Sequence, residues 1–344
     1  MGRLVELKLT MGLSIFFVCF LFAVFLAMVM FVLNLPIIFA LVVTLLFIVI
    51  QYLIGPAVVR SSTHMRYLNV GENPWLESIV KDLTDRTGTP APRLALVPDS
   101  TPNAFVFGRT ANSATLALHE GLLAKLSKEE IRGVIGHELG HIEHRDYAVM
   151  TLLSALPLIA YLIARATWTA AQFSGSSRRK EEGSMRAAFI VVGVVSYVVY
   201  IISLLCVMKL SRLREHYADA YSAYVTSSPR GLQSALAKIT YGLSLSLKPP
   251  SGARAFYIGD PAMAKQEIQS VMAKKQEYDL DKDGVLDEGE LTIAMEREAA
   301  SAWSKINTWF STHPPTFRRI MLLGEIEREM QSGRYAEDRV YASV

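Results

Sequence analysis

Ile135-Gly136-His137-Glu138-Leu139-Gly140-His141-Ile142 decides how this chain of 344 residues is read. Just upstream, Ser127-Lys128-Glu129-Glu130 has the form of a capping box. In such a box the serine oxygen accepts from an orphan amide, and the glutamate reaches back to the cap. The spacing predicts a helix from near Lys128 to about Asp146. Residues four apart on a helix share a face one turn apart, so the imidazoles of His137 and His141 can converge on one zinc ion. Glu138 then stands beside the metal, where it can take a proton from water. The rival reading is a surface helix with incidental histidines. With only seven histidines in the chain, a chance H-E-x-x-H is on the order of a one-in-a-hundred event, and the capped, amphipathic setting favours the metal. His144 shares roughly the same face but lies about 10 Å along the axis from His137. Zinc bonds are near 2 Å, so His144 reads as a solvated or capping histidine.

Zinc that catalyses hydrolysis usually has three protein ligands and a position open to water. Ser211-Arg212-Leu213-Arg214-Glu215-His216-Tyr217-Ala218-Asp219 offers a third. Glu215 and Asp219 are four apart, hence on one helix face. They read either as a carboxylate ligand with a second carboxylate orienting an imidazole, or as a polar helix end with salt bridges to Arg212 and Arg214.

The composition leans toward a membrane: 51% of residues are hydrophobic and 19% charged, against about 25% charged in a soluble globule. Disorder is excluded by the same numbers. A disulfide scaffold is excluded by the cysteine count, Cys19 and Cys206 alone. A formal charge of +3, without aromatic-interleaved basic patches, argues against nucleic acid. From Leu9 to Val59 the chain carries no Asp, Glu, Lys or Arg. About 20 residues cross the hydrocarbon, so this run predicts a helical hairpin, near Met11–Leu33 and Ile37–Val59, broken at Pro36. Tyr147–Ala164 and Ala187–Met208 are two further charge-free runs, read as spans or as buried core helices. Basic residues near the helix ends (Arg3, Lys8, Arg60, Arg66, Lys209, Arg212, Arg214) place the polar blocks in the cytoplasm. Arg178, Arg179 and Lys180 run against that rule. The division is a hairpin over 1–59, a first polar block over 60–146, a second membrane pair over 147–208 and a second polar block over 209–344.

In the first block Trp75–Thr87 has helical spacing. Arg93–Val97, Asn103–Gly108 and Ala114–His119 read as short strands between Pro, Asn and Gly. In the second block Asp279-Leu280-Asp281-Lys282-Asp283-Gly284-Val285-Leu286-Asp287-Glu288-Gly289-Glu290 fits the calcium loop D-x-[DN]-x-[DN]-G-x5-E. Asp279, Asp281, Asp283, Asp287 and Glu290 supply carboxylates, and Val285 a carbonyl. Helices are expected on either side, within an insertion over about 262–300. The alternative is an acidic solvated loop.

Taken together, these residues resemble the HtpX-like zinc metalloproteases, relatives of the CAAX prenyl proteases. The resemblance covers most of the chain. It rests on the hairpin, on His137–His141 followed by Ile142 and Asp146, and on the later apolar pair. It rests also on the Ser-Arg-x-x-Glu-x-x-Ala-Asp pattern of Ser211–Asp219 and on Thr312-His313-Pro314-Pro315-Thr316. It implies an α+β fold: a zincin-like metalloprotease domain with a small edge-stranded sheet, plus four hydrophobic membrane helices. It implies Glu215 as third ligand with Asp219 as its partner, and His313 near the site. Asn103, Ala104 and Phe105 would open the edge strand on which an extended substrate lies, as exposed edges allow. His313 would stabilise an oxyanion or start a helix before Pro314. The calcium loop is a departure from the family pattern.

The resulting expectation is a membrane-embedded zinc metalloendopeptidase at the cytoplasmic membrane face. It would hydrolyse membrane or misfolded proteins, with the lipid bilayer as its other partner. Geometry is consistent, since Glu215 can join the histidines only if an even number of crossings separates the two polar blocks. Rival expectations are a non-proteolytic, calcium-responsive membrane protein and a CAAX-type processing protease; the latter carries more spanning helices.

Overall fold

The computed structural model describes residues 3–173, 180–244, 258–259, 261–282, 294, 297 and 311–332. Helices α1 (Arg3–Val32) and α2 (Ile37–Thr63) are followed by β1 (Arg66–Tyr67), α3 (Pro74–Thr87), β2 (Arg93–Val97), β3 (Ala104–Phe107) and β4 (Thr115–His119). Then come α4 (Glu120–Lys125), α5 (Lys128–Glu143), α6 (Asp146–Phe173), α7 (Lys180–Thr226) and α8 (Pro229–Ser244). The described helices end with α9 (Pro261–Ala273), α10 (Lys275–Tyr278) and α11 (Thr316–Gln331). The chain forms two compact units.

One unit comprises Lys8–Gly55 and Ala148–Leu210. The break after α1 forms as the sequence requires. Asn34 takes a left-handed φ of 52°, and the Leu35 amide reaches back to the Met30 carbonyl at 2.9 Å, a cap that satisfies helix-end carbonyls. Val18, Phe22, Phe25 and Val29, spaced by three and four, bury against Leu153, Leu156 and Ala160 of α6 and Val192 and Val199 of α7. Outward-facing side chains are apolar as well, among them Phe16, Phe20 and Phe31. A helix apolar all round suits a bilayer rather than water. Four helices are long and apolar enough to cross a membrane, over Gly12–Val32, Leu41–Thr63, Val149–Phe173 and Met185–Thr226. Both later helices outrun their charge-free cores, α6 reaching Phe173 and α7 Thr226.

The other unit comprises Met1–Leu7, Pro56–Tyr147 and Ser211–Val344. Its sheet has the order β1-β2-β4-β3, with β2 and β4 parallel and the other pairs antiparallel. Strand β3 is an edge, in register Ala104↔Leu118 to Phe107↔Thr115. The strand period of two sorts the faces. Leu116 and Leu118 enter the main core with Ile131, Val134, Ile135, Leu139 and Ile142 of α5. Ala117 turns the other way, toward Ala95, Phe105 and Phe107. The three strands expected from the sequence form within a residue or two of their predicted bounds. Two-residue β1 is too short to leave a periodic signal.

The capping box of α5 is present: the Glu130 amide donates to Ser127 Oγ at 3.3 Å and the Ser127 amide to Glu130 Oε2 at 2.7 Å. The helix ends at Glu143, short of the expected Asp146. His144 is its C-cap, and Arg145 turns left-handed at φ 55°. Two glycines set how closely α5 approaches its neighbours. A Cβ on Gly133 would lie 2.5 Å from the Leu232 amide nitrogen, and one on Gly140 3.0 Å from Ala218 Cα. Ser222 Oγ donates to the Gly133 carbonyl at 2.6 Å across the same seam. Replacing Gly133 by Ala therefore overpacks backbone against backbone. It should cost about 1–3 kcal/mol, read as a lowered unfolding midpoint. Gly12→Ala, where nothing lies within 4 Å of the added carbon, should leave that midpoint nearly unchanged.

Candidate active site

Helix α5 delivers His137 and His141 one turn apart, and the half of α7 that follows the apolar run delivers Glu215 and Asp219. His137 Nε2 and His141 Nε2 are 3.2 Å apart. Glu215 Oε2 lies 3.6 Å from the first and Oε1 3.5 Å from the second. One ligand atom from each of the three residues falls within 4.8 Å of the others. Ligand atoms on a zinc with bonds near 2.0–2.1 Å stand about 3.3 Å from one another, close to the separation of the two ring nitrogens, and the carboxylate reaches each ring through a different oxygen. Glu215 Oε2 is buried and makes no hydrogen bond of good geometry among the described residues, with nitrogens of His313 and Arg319 at 3.2 and 3.3 Å.

Each imidazole is held from behind by its own carboxylate. His141 Nδ1 donates to Asp146 Oδ2 at 2.6 Å, and His137 Nδ1 lies 3.0 Å from Asp219 Oδ1. A carboxylate on Nδ1 fixes the tautomer that leaves Nε2 with a lone pair for a metal. Asp219 thus serves His137, as the second carboxylate orienting an imidazole in one of the two readings of its helix face, whereas the family resemblance made it the partner of Glu215. Burial by itself would lower the pKa of His137, but hydrogen bonds to Asp219 and Glu215 raise it to about 9. Protons and a cation therefore compete for the same nitrogens, as at metal sites generally. Four buried carboxylates, Glu138, Asp146, Glu215 and Asp219, are gathered with two buried guanidiniums, Arg214 and Arg319.

Arg319 was not legible in the sequence. It is buried to 1% exposure and forks onto Asp219, Nε to Oδ2 at 2.8 Å and Nη2 to Oδ1 at 2.7 Å. Its Nη1 lies 3.3 Å from Glu215 Oε2 and also donates to the Ile258 carbonyl. Asp146 was noted only as part of a family pattern. The left-handed Arg145 begins the turn that brings its carboxylate back to His141, and Arg214 pairs with its other oxygen. Arg319 follows the N-cap Pro315 by four residues, about one turn into α11, and nothing in that position marks it as buried.

His313 joins the cluster, its Nδ1 3.2 Å from Glu215 Oε2. It precedes α11 rather than starting it, since Pro315 is the N-cap. Ser311 Oγ donates to the His313 carbonyl at 2.9 Å, and Arg212 holds the Ser311 carbonyl at 2.6 Å. Glu138, 3% exposed, lies among these groups, and burial pushes its carboxyl above the usual range. Asn103, Ala104 and Phe105 lie where β3 begins, and α5 packs on that strand. Asn103 Oδ1 accepts from the Ile258 amide at 2.9 Å, so this side chain braces the segment that Arg319 also holds. His144 sits at the C-cap as expected but is not solvated. Its ring meets those of Tyr217 and Tyr221 edge-on, with centroids 5.4 and 5.8 Å away. Of the calcium loop, Asp279 and Asp281 are described, whereas Asp283, Val285, Asp287 and Glu290 lie outside the described residues. Removing the guanidinium with Arg319→Met would strand Asp219 in the interior, which costs about 3–5 kcal/mol. Chemical unfolding should show that loss, and adding Asp219→Asn should recover much of it.

Residues 71–327 match the model of peptidase family M48. The protease HtpX homolog of Methanothermobacter thermautotrophicus is 39% identical over 197 residues, 57% of this chain and 71% of that one. That of Thermococcus kodakarensis is 33% identical over 282 residues, 82% of this chain and 83% of its own. The crystal structure of S. mikatae Ste24p aligns at 16% identity with a TM-score of 0.49, covering 93% of this chain and 67% of that one. These matches disfavour a non-proteolytic sensor, and none of them supports calcium binding. With a protease model spanning most of its length and four helices fit for a bilayer, the chain belongs to peptidase family M48, as an HtpX-like membrane metalloprotease.

Proposed function

We propose that this chain is a zinc metalloendopeptidase that hydrolyses membrane or misfolded proteins at the cytoplasmic membrane face. In this reading 1–59 and 147–208 anchor the enzyme, while 60–146 and 209–344 build its protease domain. The observation that carries the reading is the convergence of His137 Nε2, His141 Nε2 and the Glu215 carboxylate, the two nitrogens 3.2 Å apart and each within 3.6 Å of a carboxylate oxygen. Zinc in such a site acts as a Lewis acid on a carbonyl oxygen and lowers the pKa of water. His137, His141 and Glu215 would hold it.

Glu138 has the properties of a general base. A carboxyl raised by burial sits closer to neutral pH, where it can both take and return a proton. It would draw the proton from the attacking water and pass it to the leaving amine. Asp146 and Asp219 hold the two imidazoles in register, and Arg319 holds Asp219. His313 would donate to the oxyanion as the carbonyl carbon becomes tetrahedral. Strand β3, with Asn103, Ala104 and Phe105 at its start, would bind substrate as an added antiparallel strand. Main-chain hydrogen bonds then provide affinity with little demand on sequence, which suits a protease for misfolded chains. The basic residues flanking the spans support the cytoplasmic side. Calcium binding at Asp279–Glu290 rests on the sequence motif alone.

Purified Glu138→Gln should keep one zinc per chain by metal analysis, while casein cleavage falls at least about 100-fold. Retained cleavage would remove Glu138 from the mechanism. Glu215→Ala should lose zinc outright; unchanged metal content would point to a different third ligand. Asp146→Ala and Asp219→Ala should each weaken zinc about 10- to 100-fold in competition with a chelator.

A further inference from the structure

The unit that carries the protease residues has a second feature, unconnected with the metal cluster. The last turns of α2, the start of β2 and the end of β3 line a cavity of about 940 Å3, within the size range of ligand pockets. Arg60, His64, Arg93 and Arg109 line it together with Ser61 and Tyr67, and none of its lining residues is acidic. Arg60 Cζ lies 5.3 Å and Arg93 Cζ 4.1 Å from the centroid of the Tyr67 ring. Two guanidiniums thus share one aromatic ring. Among the described residues neither forms an ion pair with a carboxylate, whereas neighbouring Arg66 pairs with Glu72.

Guanidiniums match a phosphate through paired N–H donors, and Arg60 and Arg93 stand side by side on the Tyr67 ring with no acidic residue in the lining. The helix that forms the wall decides which anion. Arg60 is the first charge after the uncharged run Leu9–Val59, and it sits in the last turn of α2. The candidate span Leu41–Thr63 on that helix is only 6% buried within the protein. Val58, between the lining residues Ala57 and Arg60, is 56% exposed. An apolar, uncovered helix that runs directly into a cationic cavity fits a molecule with a hydrocarbon tail and a negative head. We infer that this cavity binds the headgroup of an anionic phospholipid, with Arg60, Arg93 and Arg109 around the phosphate and the first acyl carbons beside the exposed Val58. Basic sites at the ends of spanning helices select anionic lipids in the same way.

Native mass spectrometry of the full chain in zwitterionic detergent tests this with four probes: dihexanoylphosphatidylglycerol, dihexanoylphosphatidylcholine, inorganic phosphate and a hexaglutamate peptide. One phosphatidylglycerol should bind per chain, at least tenfold more tightly than phosphatidylcholine or phosphate. Arg60→Gln, Arg93→Gln and Arg109→Gln should each weaken it about tenfold, the loss expected for a hydrogen-bonded charge, and Arg93→Lys should retain more than Arg93→Gln. Arg109 is exposed outside the strands, so its variant keeps the test decisive should Arg60→Gln misfold, as circular dichroism would report. Equal binding of phosphate would make this a small-anion site. Equal binding of phosphatidylcholine, displacement by hexaglutamate at lower concentration, or indifference to all three substitutions would each overturn the lipid assignment.

Discussion

The contact between α5 and α7 governs everything else in the protease unit. A carboxylate from one helix has to stand among two imidazoles from the other, and that requires the backbones to close to a distance most side chains forbid. Gly140 faces Ala218 at the level of the cluster, one residue before His141 and three after Glu215. Gly133, two turns earlier, faces the start of α8 with the same lack of room. Small residues on this seam do for the site what large ones do for the core. They set a spacing that hydrophobic burial then makes rigid, through Ile131, Val134, Ile135 and Leu139 on the opposite side of α5.

That proximity concentrates charge where water is excluded, and the structure answers it with paired partners. Each imidazole has a carboxylate, and each of those carboxylates has a guanidinium: His141 with Asp146 and Arg214, His137 with Asp219 and Arg319. Removing one partner from such a chain leaves a buried charge uncompensated, so its members depend on one another far more than an exposed pair would. Arg319 also reaches the Ile258 carbonyl, and Asn103 the Ile258 amide. The start of the edge strand, the α11 helix and the metal-facing end of α7 are thereby tied to one short segment of chain.

Much of this was legible before any coordinates. The helix carrying His137 and His141 announces itself through Ser127 and Glu130, because capping chemistry is local and its partners are three residues apart. The strands and the hairpin of apolar helices follow from equally short-range patterns. Glu215 was visible as an ambiguous residue, a ligand or a salt-bridge partner, since helical spacing shows which residues share a face but not what that face meets. Arg319 carries no local signal: its partner is 100 residues away, and a lone arginine in a sequence reads as solvated. Asp146, at the expected helix end, was named only within the family pattern, because no local signal shows that the left-handed Arg145 turns its side chain back to His141. The basic cavity by α2 was hidden likewise, being assembled from single arginines on three separate elements.

One zinc ion would lie between the two helices, held by nitrogen and oxygen alone. Zinc K-edge X-ray absorption on the purified chain addresses that directly. It should show a shell of N and O ligands near 2.0–2.2 Å, two of them with the outer-shell scattering of imidazole rings, and no sulfur. A shell with three imidazoles, with sulfur, or with no stoichiometric zinc to measure would contradict it.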